Sequence, residues 1–191
     1  QHDMAEELAQ LSKSVDHIKD IVSTQQSYAG ANSLMEPLSI SELLEDALRM
    51  NAGALTRHQV VVVKDYNEVP PVMGDKHRLL LILINLISNA KYAMSDLSKR
   101  PREMTLSVAI VDETILQISV EDNGEGIAAE NMTRIFAHGF TTRKEGHGFG
   151  LHSCALAAIE MNGQLSAHSD GPGKGARFTL QIPLTPVPTE E

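Results

Sequence analysis

Asp122-Asn123-Gly124-Glu125-Gly126 sets a carboxylate beside two glycines, and Gly146-His147-Gly148-Phe149-Gly150-Leu151 sets three glycines ahead of an apolar run. A carboxylate accepts hydrogen bonds from an exocyclic amine, and side-chain-free backbone lets a flat ring approach closely. The second cluster has a different use. The first N–H groups of a helix are unpaired and carry the positive end of its dipole, so a glycine-rich helix start suits phosphate. Together the clusters describe an adenine end and a phosphate end. Taken singly, either cluster is more often a turn than a ligand site. Neither is a Gly-x-x-x-x-Gly-Lys-Ser/Thr loop, and Leu151 stands where the dinucleotide pattern requires its third glycine.

Three elements must position these groups. Thr114 to Glu121 alternates apolar and polar residues, which predicts a strand with one buried face and puts Asp122 at its end. Leu151 to Met161 predicts a helix with Leu151, Ala155, Ala158 and Ile159 on one face. Asp75 to Met94 predicts a long buried helix bearing Asn85 and Asn89 one turn apart. That spacing puts both amides on one face, where their oxygens can act as hard, neutral ligands beside a phosphate-bound magnesium ion. The histidines in and around the second glycine cluster, His138, His147 and His152, lack a close zinc-ligand spacing, so no transition metal is implied.

The asparagine helix, the Asp122 loop, Ile135-Phe136-Ala137-His138-Gly139-Phe140-Thr141-Thr142-Arg143 and the 146 to 151 loop follow one another in the order found in sensor histidine kinases. They resemble that family's N, first glycine, F and second glycine boxes. Gly173 to Pro183 resembles its closing strand, so the similarity spans roughly residues 38 to 183. The resemblance implies the left-handed α/β sandwich shared with DNA gyrase, a heat-shock chaperone and mismatch-repair ATPases. It implies ATP or ADP with Mg2+ as ligands. It assigns the adenine amine to Asp122, with Gly124, Gly126 and Ile127 alongside, the main magnesium contact to Asn89, and assistance at the phosphates to Asn85. Residues 136 to 149 become an ATP lid started by Phe136 and Phe140, with Thr142, Arg143, Lys144, Gly146, Gly148, Gly150 and Leu151 towards the phosphates. Two departures stand out. Tyr92 occupies a position that is basic in many relatives, with Lys91 one residue earlier, and Ala176 replaces a frequent threonine.

Leu8, Leu11, Val15, Ile18 and Val22 are spaced three, four, three and four, which predicts one long helix over residues 3 to 29 whose apolar stripe needs a partner helix. It resembles the second helix of a kinase dimerisation hairpin. On that resemblance the first helix, with its phosphoacceptor histidine, is missing and the chain is truncated; His2 is a frayed terminus and His17 a packing or surface residue. The expected organisation is a bundle helix and linker over 1–37, an ATP-binding domain over 38–183 and a flexible tail over 184–191. The implied partners are a response-regulator receiver domain and a second copy of the parent protein, joined through the hairpin.

At 191 residues and 42% hydrophobic, the chain suffices for one core and a projecting helix. A net charge of −9 argues against broad binding to nucleic acid or anionic membrane. The longest aliphatic run, Leu79 to Ile84, is too short to cross a bilayer, which favours a cytoplasmic location without direct membrane contact. The single cysteine, Cys154, excludes an internal disulfide. Ser39 and Glu42 form a capping-box signature for a helix from Ser41 to Asn51. Strands are expected at 59–64, 103–111, 114–121, 164–169 and 176–182. The fold class is therefore α+β, a two-layer α/β sandwich with a mixed sheet of about five strands, preceded by the bundle helix. The expected activity is transfer of the ATP γ-phosphoryl group to a histidine outside this chain. A nucleotide-binding switch without kinase activity is the alternative, and a gyrase-like clamp is a third.

Overall fold

The computed structural model describes residues 34–97, 100–142, 148 and 150–188. The expected bundle helix, His2, His17, Arg143, Lys144 and Gly146 lie outside the described residues. Strand β1 (Met35–Leu38) leads into helix α1 (Ile40–Arg57), followed by β2 (Val60–Tyr66), β3 (Val72–Asp75) and helix α2 (Lys76–Ala93). Strands β4 (Arg102–Val111) and β5 (Ile115–Asp122), helix α3 (Gly150–Glu160), and strands β6 (Gln164–His168) and β7 (Ala176–Pro183) complete the order.

Five strands form one mixed sheet in the order β2-β4-β5-β7-β6. Only β2 and β4 pair in parallel, because the chain between them carries the crossover helix α2; the other neighbours are antiparallel. Alternation sends Met104, Leu106, Val108, Leu116, Ile118, Val120, Phe178, Leu180 and Ile182 to one buried face. Against that face pack Leu79, Ile82, Leu83, Leu86 and Ile87 of α2 and Leu43, Leu44 and Ala47 of α1. The other face, apart from the exposed Val61 and Val63 of β2, is mainly polar and laced by cross-strand bonds. Ser119 and Thr179 hydroxyls meet at 3.1 Å, Gln181 donates to Gln117 at 2.9 Å, and Arg177 Nε donates to Glu121 at 2.8 Å. One covered and one polar face make the two-layer α+β arrangement expected from the sequence.

Several boundaries differ from expectation. Helix α1 does begin at the Ser39 cap, whose Oγ accepts the Glu42 N–H at 3.4 Å, but it runs past Asn51 to Arg57. Asn51 turns its side chain back onto the helix, donating to the Ala47 carbonyl at 3.0 Å, and the helix continues through it. Strands β1 and β3 form a small antiparallel sheet that local patterning misses, since each has four residues. The segment after Pro183 is attached rather than free through residue 186: Met73 N donates to the Thr185 carbonyl at 2.8 Å and Pro186 bridges Val72. Strand β1 thus lies at the end of the segment expected as linker, and residues 185 and 186 lie beside β3. Arg102 joins two helix ends. Its guanidinium donates to His58 O at the end of α1 and to Met94 O and Ser95 O at the end of α2, at 2.8, 2.8 and 3.1 Å.

Candidate nucleotide site

Asp122 is the last residue of β5, as the alternation predicts, and is 4% exposed. Its Oδ1 accepts the Gly124 N–H at 2.8 Å, and the Ala176 N–H also donates to the carboxyl. Burial pushes its pKa up to about 6; the two backbone N–H groups pull against this, while Glu125 and Glu121 add to it. Asp122 and Ala176 are register partners, so the carboxylate and the small Ala176 sit side by side at one end of the sheet.

The glycines after Asp122 allow backbone contact on two sides. A Cβ on Gly124 would overlap the Ala93 carbonyl at the end of α2, and Glu125 N donates to that same oxygen at 2.8 Å. Gly126 has φ +71°, and a Cβ there would overlap the Gly171 carbonyl. Ile127, half-buried, is held through its N–H by Ser169 Oγ at 3.0 Å. Ser169 Oγ in turn donates to Gly175 O at 2.6 Å, tying the Asp122 loop to the β6–β7 turn.

Helix α2 reaches both glycine clusters. Asp75 caps it by accepting the Arg78 N–H at 3.0 Å, and Arg78 also pairs with Glu160 at 3.0 Å, fixing the start of α2 against the end of α3. Asn85 donates to the Leu81 carbonyl at 2.9 Å, and its Oδ1 would lie 3.0 Å from a Cβ on Gly150 at the start of α3. Asn89 follows one turn later, and both asparagines are half-buried rather than enclosed, because they lie on the edge of the apolar stripe. Oxygen-bearing amides on the face that meets the start of α3 fit a hard divalent cation beside phosphate. Lys91 is buried, its Nζ sits 3.6 Å from the Tyr92 ring centroid, and its charge acts on His58. The His58 pKa is lowered, first by desolvation and then by Lys91, Arg102 and Arg57.

The F segment is anchored as the sequence suggests. Ile135 is buried, Phe136 packs edge-on against Phe178 with centroids 6.4 Å apart, and the Arg134 guanidinium lies 4.8 Å from the Phe140 ring centroid. His152 Nδ1 lies 3.0 Å from the Phe136 carbonyl oxygen, linking this segment to α3. Gly139 N donates to the Gly148 carbonyl at 3.1 Å, so the two ends of the expected lid meet. Thr142 is exposed. Helix α3 buries Cys154, Ala157 and Ala158, with Leu151 half-buried; Ile159, expected on the buried face, is 64% exposed. The helix turns its stripe of small residues inward.

Sequence reasoning missed Arg100 and Arg102, whose guanidinium groups reach carbonyls far away in the chain, and Ser169, whose Oγ accepts the distant Ile127 N–H. No local pattern marks such contacts.

The sequence profile described as "Histidine kinase-, DNA gyrase B-, and HSP90-like ATPase" matches residues 74–186. The sensor histidine kinase TmoS of Ectopseudomonas mendocina is 30% identical over 183 residues, covering 94% of this chain and 19% of TmoS. The signal transduction histidine-protein kinase AtoS of Escherichia coli (strain K12) is 29% identical over 184 residues, covering 95% of this chain and 29% of AtoS. The chain thus spans well under half the length of these relatives. Among solved structures, full-length ShkA in complex with AMPPNP superposes with a TM-score of 0.77 at 22% identity, covering 95% of this chain and 39% of ShkA. The nucleotide-free catalytic domain of the histidine kinase ThkA gives 0.70 at 23% identity, covering 80% of this chain and 99% of that domain. These two likenesses concern the fold. With a buried carboxylate at a strand end, two glycine clusters meeting one asparagine-bearing helix, and a profile match over more than half its length, the chain belongs to the histidine kinase-, DNA gyrase B- and HSP90-like ATPase family.

Proposed function

We propose that this chain contains the ATP-binding catalytic portion of a two-component sensor histidine kinase. The observation that carries the reading is Asp122, a buried carboxylate held by backbone N–H groups at the rim of a glycine-walled site. In this reading its ionised oxygen accepts the adenine amine, Gly124 and Gly126 let the ring lie against backbone, and Ile127 covers its edge. Asn89 and Asn85 hold Mg2+, which supplies charge neutralisation at the phosphates. Gly148, Gly150 and the start of α3 offer N–H groups to the same phosphates, together with Thr142, Arg143, Gly146 and Leu151 of the lid and its exit. The site's contribution is position and electrostatics, because the nucleophile is a histidine supplied by another element.

Sensor histidine kinases recur among the relatives, at 27–30% identity, which favours histidine as the acceptor over the clamp chemistry of other branches. The reading makes a receiver domain the next phosphoryl acceptor and the parent protein a dimer. It places the domain in the cytoplasm, where ATP is available, and no helix among the described residues is long and apolar enough to cross a membrane.

Calorimetry with ATP and Mg2+, comparing the chain with Asp122→Asn and Asn89→Ala, tests the pocket. Both variants should lose affinity. Phosphotransfer from ATP to a separately supplied hairpin bearing the acceptor histidine tests the activity. Unchanged binding in both variants refutes the pocket, and binding without any transfer refutes the kinase assignment in favour of a nucleotide-dependent switch.

A further inference from the structure

Arg100 is exposed and precedes β4, yet its Nη2 reaches three carbonyl oxygens: Asn123 at 2.5 Å, Gly124 at 3.3 Å and Gly173 at 3.0 Å. The first two belong to the loop after Asp122, and the third to the turn between β6 and β7. Those segments already touch through backbone, with Gly173 N donating to Glu125 O at 2.5 Å and Gly175 N to Gly124 O at 3.2 Å. Three carbonyl dipoles pointing their negative ends at one place repel one another, and a guanidinium among them turns that repulsion into attraction. One nitrogen carries only two hydrogens, so the three oxygens share them.

The geometry has a sharper consequence at the Asn123–Gly124 peptide. Its carbonyl oxygen accepts from Arg100, and its N–H is the group that donates to Asp122 Oδ1 at 2.8 Å. The peptide unit is planar and rigid, so fixing one end aims the other. A cation on the carbonyl also polarises the unit and strengthens its N–H as a donor. Asn123 is held from the β4 side as well, its Nδ2 donating to Pro101 O at 2.9 Å and its Oδ1 accepting the Glu103 N–H at 3.1 Å. The plane therefore tilts little while Arg100 is in place.

We propose that Arg100 is a positioning residue for base recognition, aiming the Asp122 carboxylate at the ligand's exocyclic amine through the single peptide plane between Asn123 and Gly124. The inference rests on the nucleotide-site reading above and adds to it the residue that sets base selectivity. Arg100 touches no ligand atom in this scheme.

The test measures ATP and ITP affinity, both with Mg2+, for the full chain and for Asp122→Asn, Arg100→Ala, Arg100→Gln and Arg100→Lys. ITP carries an oxygen in place of the amine, so it isolates the Asp122 contact. Arg100→Ala should weaken ATP about five- to tenfold, as expected for a charged hydrogen-bond partner, while ITP changes less than about twofold. Arg100→Lys, which keeps the charge and its donors, should recover most of the ATP preference, and Arg100→Gln should lie between. Equal weakening of ATP and ITP by Arg100→Ala, or no weakening of either, overturns the proposal. If the alanine variant does not fold, the ATP-to-ITP ratio of the glutamine variant decides by the same criterion. Failure of the underlying reading looks different: the parent chain would not prefer ATP over ITP, or Asp122→Asn would bind ATP as the parent does.

Discussion

Raising the pH from 5 to 7.5 should weaken the fold and strengthen nucleotide binding, both through Asp122. Burial lifts its pKa from the ordinary 3.8 to about 6. The folded state then holds the proton more tightly than the unfolded chain. The associated stability is fully present below the unfolded value and is lost as pH rises through the window from 3.8 to about 6. At about 1.4 kcal/mol for each tenfold change in proton affinity, the ionised carboxylate costs about 3 kcal/mol of stability at pH 7.5, and about half of that is still lost at pH 5. Binding has the opposite sign. If only the ionised form accepts the adenine amine, roughly a tenth of the sites are competent at pH 5 and nearly all at pH 7.5, an affinity change of about tenfold. Urea unfolding of the parent and Asp122→Asn at both pH values reads the first effect. The variant should be the more stable at pH 7.5 by about 1–2 kcal/mol, after allowance for a weakened backbone hydrogen bond, and this advantage should shrink by about 1.4 kcal/mol at pH 5. Calorimetry with ATP and Mg2+ on the same samples reads the second, the variant correcting for titration of the nucleotide itself. A stability difference independent of pH across this range would refute the buried, proton-hungry carboxylate.

Gly175→Ala should cost about 2–4 kcal/mol in urea unfolding, since the residue has φ +73° and a Cβ would overlap the Asp122 carbonyl oxygen. Arg102→Ala should cost about 2–3 kcal/mol by the same assay, through three carbonyls at two helix ends left without their cation. Cys154 is fully buried with its thiol pKa pushed up to about 12, so a thiol reagent at pH 8 should label it only at the rate of unfolding, while full labelling occurs at once in denaturant.

Chemistry carried by short contiguous stretches was legible in the chain. Alternation over 114–121 puts Asp122 at a strand end, spacing puts Asn85 and Asn89 on one helical face, and glycines mark the places where backbone must approach backbone. These follow from local periodicity and from the missing Cβ, which any fold must respect. Helix α1 shows the limit of local signals. From sequence the helix is expected to end at Asn51, but packing that buries Leu55 against the core carries it to Arg57. The buried face of α3 went the same way, because Ala-rich helices have weak polarity of pattern and the neighbouring elements choose Cys154, Ala157 and Ala158 over Ile159. The two four-residue strands of the small sheet depend on hydrogen bonds to each other and, for β3, to Thr185, partners that no local pattern announces.

The sequence by itself determined which residues are offered for the proposed site: a carboxylate, two amides and glycine-rich backbone, ordered as in the family. Tertiary structure alone decided how they are tuned. Asp122 becomes proton-hungry only when the fold buries it, Lys91 is buried with its Nζ over the Tyr92 ring, and Arg100 meets carbonyls at 123, 124 and 173 once the sheet has brought those turns together. Desolvation and long-range charge depend on what surrounds a group in space, and no neighbouring letters in the chain record that.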